Sequence, residues 1–138
     1  HGFPNLFIVG PNQGANLISN ITHNLVEAGT TVAATIAHAA ECGAETVEVT
    51  EQAEQAWIDL LDGTGTSIFG NLDCTPGYYN NEGKPMGRRE RLGASGYPAG
   101  PVAYFAYIEN WRSNGEFAGL EFLGPAQDHV DPPNETTN

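Results

Sequence analysis

Basic residues are scarce in this sequence. Only five of its 138 residues are Lys or Arg, whereas 17 are Asp or Glu, so the net charge is −12. Such an acidic chain is repelled by nucleic acid and by anionic membranes, and we predict neither as a partner. The sequence also lacks an apolar run long enough to cross a bilayer, and no basic stretch precedes its first apolar run as in a signal peptide. A cytoplasmic location is therefore expected.

Cysteine is nearly as rare, with only Cys42 and Cys74. Two distant cysteines predict neither a disulfide scaffold nor a metal site, so free thiols in a reducing compartment are expected. His23 and His38 do not have the four-residue spacing of a helical metal pair, and neither is taken to have a cysteine or a carboxylate cluster nearby. Both are interpreted as structural or solvent-facing, and no metal is predicted.

A glycine-rich dinucleotide motif is missing as well. Residues 63–70 contain three glycines, but their spacing does not match GxGxxG and they follow a predicted helix. Most of the basic residues, by contrast, fall within eight positions: Lys84, Arg88, Arg89 and Arg91. Such a cluster can hold an anion such as a nucleotide phosphate, or it can be a solvated loop that pairs with neighbouring acids.

Residues 1–43 predict a strand, a tight loop and a long helix. Hydrophobic residues make up 40% of the chain, enough for one modest core. Residues 6–9 are predicted to form a buried strand. The helix is predicted to begin between residues 17 and 19, with Asn16 or Ser19 as its cap, and to end at Gly43. A polar loop at a helix N-terminus presents backbone N–H groups to an electron-rich ligand.

Shorter elements are predicted around a long irregular region. Residues 46–49 predict a strand, and Thr50 is predicted to cap a helix over 51–61. Residues 63–100 are rich in Gly, Pro, Asn and Tyr, which is typical of a functional or disordered loop. The remaining predictions are a helix over 101–114, a strand over 120–123 and a loose tail over 124–138.

Together these elements predict an α/β fragment, α+β in isolation, with about three helices and a few short strands. A domain rarely starts with its innermost strand, so we expect the chain to be the end of a larger protein. Strand 6–9 would then lack its sheet neighbours. Its free edge is expected to promote self-association.

Several segments resemble one protein family in the order in which they occur. Gly2–Phe7 (GFPNLF), with Gly10–Pro11 and Ser19–Asn20 after it, is similar to the last FAD-domain strand and helix of class B flavin monooxygenases, Baeyer–Villiger monooxygenases in particular. Residues 50–57 (TEQAEQAW) resemble the helix that follows in that family. Residues 74–85 resemble a loop of members that act on aryl and bulky cyclic ketones, such as 4-hydroxyacetophenone.

The likeness extends to residues 97–122, which resemble the family's C-terminal segment. It implies the C-terminal part of a Rossmann-like enzyme that uses FAD, NADPH and O2 to insert oxygen next to a ketone carbonyl. Residues 1–43 would complete the FAD-binding domain, and residues 44–123 would form a segment whose loop, 63–100, covers the cofactor. The family's arginine and histidine motifs are absent, so no catalytic residue is assigned. The isolated chain should be inactive and should not bind FAD tightly.

The resemblance also implies binding residues. Those expected against the flavin are Gly10, Pro11, Asn16, Ser19 and Asn20. Asn80 and Lys84 are the candidates for closing over NADP. The Asn-Asn step at Asn80 is equally compatible with a simple turn. The ketone pocket is expected to be lined by Leu17, Ile18 and Ile21, which are also compatible with ordinary core packing.

Two other functions stay open at this point. One is a different oxygenation, of nitrogen or sulfur, by a member of the same superfamily, although the loop over 74–85 does not match those enzymes. The other is a small acidic interaction module without enzymatic activity. A core that is complete within the chain, with strand 6–9 paired inside it, would favour the module.

Overall fold

A computed structural model describes residues 1–10, 13–15, 19–62, 75–77, 82–85 and 87–125. The elements in this part of the chain are helices and two short strands. They are, in chain order, α1 (Ile21–Cys42), β1 (Thr46–Val49), α2 (Glu51–Asp62), α3 (Arg88–Ala94), α4 (Gly100–Ser113) and β2 (Leu120–Leu123). The predicted α+β class is confirmed, although the described part contains four helices rather than about three.

The two strands pair with each other in a small antiparallel ribbon. Thr46 lies opposite Leu123, and Val49 lies opposite Leu120. The chain enters α2 directly from β1, and the Thr50 hydroxyl accepts a hydrogen bond from the Ala53 N–H at 3.1 Å. This is the predicted cap of that helix. Both strands and the start of α2 therefore lie where the sequence predicted them.

Helix α1 begins later than predicted and has a different cap. Its first residue is Ile21, and the Asn20 side chain accepts hydrogen bonds from the Thr22 and His23 amides. The cap is thus Asn20, and neither Asn16 nor Ser19. The helix ends as predicted at Gly43, whose φ of 69° is the left-handed conformation that glycine adopts readily.

Two helices occupy the second half of the chain. Helix α4 begins at Gly100 and ends at Ser113, within one residue of the prediction. Helix α3 was not predicted, because it lies inside the region of 63–100 that was interpreted as irregular. Its N-cap is Gly87, which makes no side-chain cap bond, so the sequence carries no start signal there. Residues 63–74 and those after 125 lie outside the described residues.

Residues 6–9 do not form the predicted strand. Just before them, the Asn5 amide donates to the Val47 carbonyl at 2.9 Å, and the Asn5 side-chain oxygen accepts from the Val47 amide. Asn5 has a φ of 61°, so the backbone turns there instead of continuing along β1. The apolar side chains that follow are exposed, Ile8 by 85%.

The core within the described part of the chain is small. Its buried apolar residues come from separate elements and are Ala15, Ala39, Val47, Leu61 and Phe117. Large exposed apolar residues are more numerous and lie mainly in the N-terminal segment and along α1. The described part therefore leaves much of its apolar surface in contact with water.

Candidate functional site

The entrance of α1 is the part of the predicted flavin site that the structure describes best. The Ser19 hydroxyl donates to the Asn24 side-chain oxygen at 3.1 Å, and Asn24 is 6% exposed. The first turn of α1 contains no acidic residue. The neutral amide of Asn20 satisfies two backbone donors without cancelling the positive end of the helix dipole. This end of α1 therefore remains favourable for an electron-rich group.

Only some of the predicted site residues can be placed. Ser19, Asn20 and Ile21 are consecutive at the start of α1, and Ile21 is half exposed. A Cβ atom built on Gly10 would meet no atom within 4 Å, so the space beside this residue is open. Lys84 is exposed and distant in sequence from α1. The remaining candidates lie outside the described residues: Pro11, Asn16, Leu17, Ile18 and Asn80.

A polar joint holds α1 against α4. Arg112 on α4 places Nη1 2.8 Å from Glu27 Oε2 and 2.9 Å from the Thr31 hydroxyl, and both of these residues are on α1. The Arg112 side chain is 13% exposed, so water screens this ion pair only weakly. No local pattern could have predicted the joint, because its partners are more than 80 positions apart.

A cavity of about 220 Å³ adjoins this joint. Its walls come from the N-terminal segment, α1 and α4, and include Ile8, Gly14, Asn24, Glu27 and Tyr104. Burial raises the pKa of the Tyr104 phenol above its usual value, the nearby Tyr107 raises it further, and Arg112 lowers it. The cavity thus combines apolar walls with an amide, a carboxylate and a phenol that stays protonated at neutral pH.

One residue of the basic cluster, Arg88, forms an ion pair with an acidic residue. Arg88 Nε lies 2.8 Å from Asp62 Oδ2 at the end of α2. The hydrogen bond and the charge of Asp62 raise the pKa of the Arg88 guanidinium. For Arg88, this contact supports the interpretation that the cluster is a solvated loop that pairs with neighbouring acids.

One contact contradicts a premise of the interpretation of the histidines, namely that neither of them has a cysteine nearby. Cys42 is four residues after His38 on α1, and its sulfur lies 3.4 Å from His38 Nε2. His38 therefore does have a neighbouring cysteine, and the spacing of the two residues in the sequence was the signal that could have revealed it. His23 packs by its edge on Phe105, with the ring centroids 4.4 Å apart, as expected of a structural residue.

The described residues contain neither a metal-binding cluster nor a helix that could span a membrane. No group of three or more metal-ligating side chains occurs among them. None of the described helices is both long enough and apolar enough to span a membrane.

Comparison with known proteins identifies the class of protein to which this site belongs. No protein-family model matches the chain. The chain is 34% identical over 122 residues to an FAD-binding monooxygenase, hmp7, of Hypomyces subiculosus. This match covers 88% of the chain and 20% of the relative. It is 41% identical over 113 residues to a Baeyer–Villiger monooxygenase of Streptomyces coelicolor, covering 81% of the chain and 18% of the relative.

Solved structures give the same result. The polycyclic ketone monooxygenase of the fungus Thermothelomyces thermophila superposes with a TM-score of 0.71 at 27% identity, over 91% of this chain and 20% of that one. A steroid monooxygenase bound to NADP superposes with a TM-score of 0.67 at 19% identity, which supports the fold alone. The chain therefore belongs to the flavoprotein monooxygenases of the Baeyer–Villiger type. It spans about a fifth of the length of the relatives it matches.

Proposed function

We propose that the chain is the C-terminal part of an FAD- and NADPH-dependent Baeyer–Villiger monooxygenase. The whole enzyme would use O2 to insert one oxygen atom next to the carbonyl of a ketone and release an ester or a lactone. The observation that carries this proposal is the 41% identity to a Baeyer–Villiger monooxygenase over most of the chain. The superposition on a polycyclic ketone monooxygenase supports a ketone substrate.

The exposed apolar surface supports a place within a larger protein. Phe3 and Ile8 are 70% and 85% exposed, and several apolar residues of α1 are exposed as well. Covering such side chains with protein stabilises each by about 1.5–3 kcal/mol. An independent interaction module would instead bury these residues within its own core. In the isolated chain the same surface is expected to cause self-association, and a strict monomer in size-exclusion chromatography at high concentration would contradict this.

The N-terminal end of α1 would suit the flavin because its positive helix dipole has no acidic side chain to cancel it. Bound FAD would supply the redox chemistry and oxygen activation of the enzyme. The uncompensated positive end of α1 would stabilise negative charge on the reduced ring by about 1 kcal/mol or less, and Ser19 and Asn20 would offer polar side chains at its edge. Gly10, Pro11 and Asn16 would complete this contact, while Leu17, Ile18 and Ile21 would shape the space for the ketone.

The segment around Lys84 would contribute to the nicotinamide cofactor. Lys84 and Asn80 would close over NADP, with the ammonium group of Lys84 favouring an anionic phosphate. The chain has no dinucleotide-binding glycine motif, so the Rossmann turns would come from other parts of the enzyme. The isolated chain is accordingly expected to be inactive and to bind FAD weakly. A cytoplasmic location accords with the dependence on NADPH.

The test is an assay of the protein encoded by the whole reading frame. With FAD, NADPH and a panel of cyclic and aryl ketones under ¹⁸O2, mass spectrometry should find esters or lactones that contain one ¹⁸O atom. Oxygenated amines or sulfides, formed without any ester, would replace the proposal with nitrogen or sulfur oxygenation. An FAD-loaded protein that oxidises NADPH but oxygenates none of these substrates would also overturn it.

A further inference from the structure

The last turn of α1 places a thiol beside an imidazole. Cys42 is exposed and is not part of a disulfide. Its sulfur lies 3.4 Å from His38 Nε2, within hydrogen-bond reach for sulfur. A nucleophile this close to a base is the arrangement by which proteins activate cysteine, because the base accepts the thiol proton.

The imidazole is held in place from its other side. The His38 ring stacks on Phe117, with the centroids 4.6 Å apart, and meets the edge of Phe122 at 4.8 Å. Phe117 is itself 5% exposed, so the surface that carries the ring is fixed by packing. The arrangement therefore has three parts, namely an exposed nucleophile, a base within reach and a rigid support that orients the base.

We propose that Cys42 and His38 form a site of reversible oxidation by hydroperoxides. The sulfur attacks one peroxide oxygen, the O–O bond breaks, and the S–O bond of a sulfenic acid forms. The thiol proton passes through His38 Nε2 to the departing hydroxide, which leaves as water. Sulfur is oxidised by two electrons and the peroxide is reduced by two, so R–SH and H2O2 give R–SOH and H2O.

The surroundings favour this chemistry with a neutral oxidant. The chain carries a net charge of −12, which repels anionic reagents but leaves neutral hydrogen peroxide free to approach. The sulfenic acid can be returned to the thiol by a cellular thiol. None of these observations depends on the function proposed above.

The experiment measures the oxidation rate of a single thiol in the 138-residue chain. The variant C74S leaves Cys42 as its only cysteine. Under excess hydrogen peroxide at neutral pH, sulfenic acid is trapped with dimedone and counted by mass spectrometry. Adding H38Q should slow the reaction about tenfold, which is less than the roughly 10²–10⁴-fold contribution of acid–base groups in enclosed active sites because this site is open to water.

The matched control is H23Q in the same C74S chain. His23 is on the same helix and also packs on an aromatic ring, Phe105, but it lies at the opposite end of α1 from Cys42, so its replacement should leave the rate unchanged. Equal rates for H38Q and H23Q would overturn the proposal, whether both are fast or both are slow. If circular dichroism shows that H38Q is unfolded, the C74S chain is measured in urea, where its rate should fall to that of an unassisted thiol. A rate that is the same folded and unfolded would overturn it.

Discussion

Two apolar regions of this chain differ in secondary structure and in burial. Residues 6–9 have the composition of a buried strand, yet they form no strand and are exposed. Residues 46–49 have a similar β-branched character, and they form β1 with Val47 buried. The difference is that β1 finds its partner, β2, within the chain. An apolar pattern predicts that a segment will be buried, but it does not say which part of a protein will cover it.

The largest effect expected from this contrast comes from removing a buried apolar side chain of the core and, for comparison, an exposed one from residues 6–9. F117A deletes a buried ring that contacts His38, Trp111 and Phe122, so the free energy of unfolding should fall by about 3–5 kcal/mol. I8A removes an exposed side chain and should stay within about 0.5 kcal/mol of the unchanged chain. Urea unfolding followed by circular dichroism measures both. Equal losses would mean that residues 6–9 are packed after all.

The next effect concerns the two ion pairs. R112M leaves the Glu27 carboxylate without its partner in a poorly hydrated joint, and a loss of about 1.5–3 kcal/mol in the free energy of unfolding is expected. R88M removes the exposed contact with Asp62, and its unfolding midpoint should not move measurably because water and salt screen that pair. A salt titration of both variants serves as the control. A larger loss of stability in R88M than in R112M would contradict this difference between the two ion pairs.

A smaller effect is expected at the cap of α1, where structure and proposed function can be separated. N20A should cost about 1 kcal/mol, since the Thr22 and His23 amides lose their acceptor. N20D keeps an acceptor and adds a charge that the helix end favours, so the stability of the chain should be retained. In the full-length enzyme, however, N20D should weaken FAD binding, because it neutralises the positive end offered to the flavin. An N20D enzyme with unchanged FAD affinity would contradict the flavin contact.

The smallest expected effect is a dependence of stability on alkaline pH. The pKa of Tyr104 is raised in the folded chain, so its contribution is complete below about pH 10 and is lost as the pH rises through the folded value. The free energy of unfolding should therefore fall more steeply above about pH 10 in the unchanged chain than in Y104F. Y107F removes a neighbour that also raises the pKa of Tyr104, so its fall should be intermediate between those of the unchanged chain and Y104F. Parallel curves for all three chains would exclude this role for Tyr104.

The elements that were predicted correctly are those with strong local signals. The hydroxyl of Thr50 caps α2, and Gly43 ends α1 in a left-handed conformation. Helix α3 has no side-chain cap, so its start could not be read from the sequence. At the entrance of α1 several neighbouring residues were plausible caps, and local chemistry alone did not select Asn20.

The contacts around the candidate site likewise differ in whether the sequence could have predicted them. The contact between His38 and Cys42 could have been predicted, because residues four apart on a helix face each other. The joint between Arg112 and Glu27 could not, because a contact across 85 positions depends on how α1 and α4 pack. The predicted flavin contacts rest on the likeness to monooxygenases. A helix entrance has the same local chemistry whether or not a cofactor lies beside it.

The most direct test of the account compares hydrogen–deuterium exchange in two forms of the protein, the 138-residue chain alone and the full-length product of its reading frame. The amides of residues 7–10 should exchange rapidly in the chain alone and become protected in the full-length protein. The amides of β1 and β2 should be protected in both. If residues 7–10 exchange equally fast in both forms, no other part of the protein covers them, and this chain is not the part of a monooxygenase that we infer.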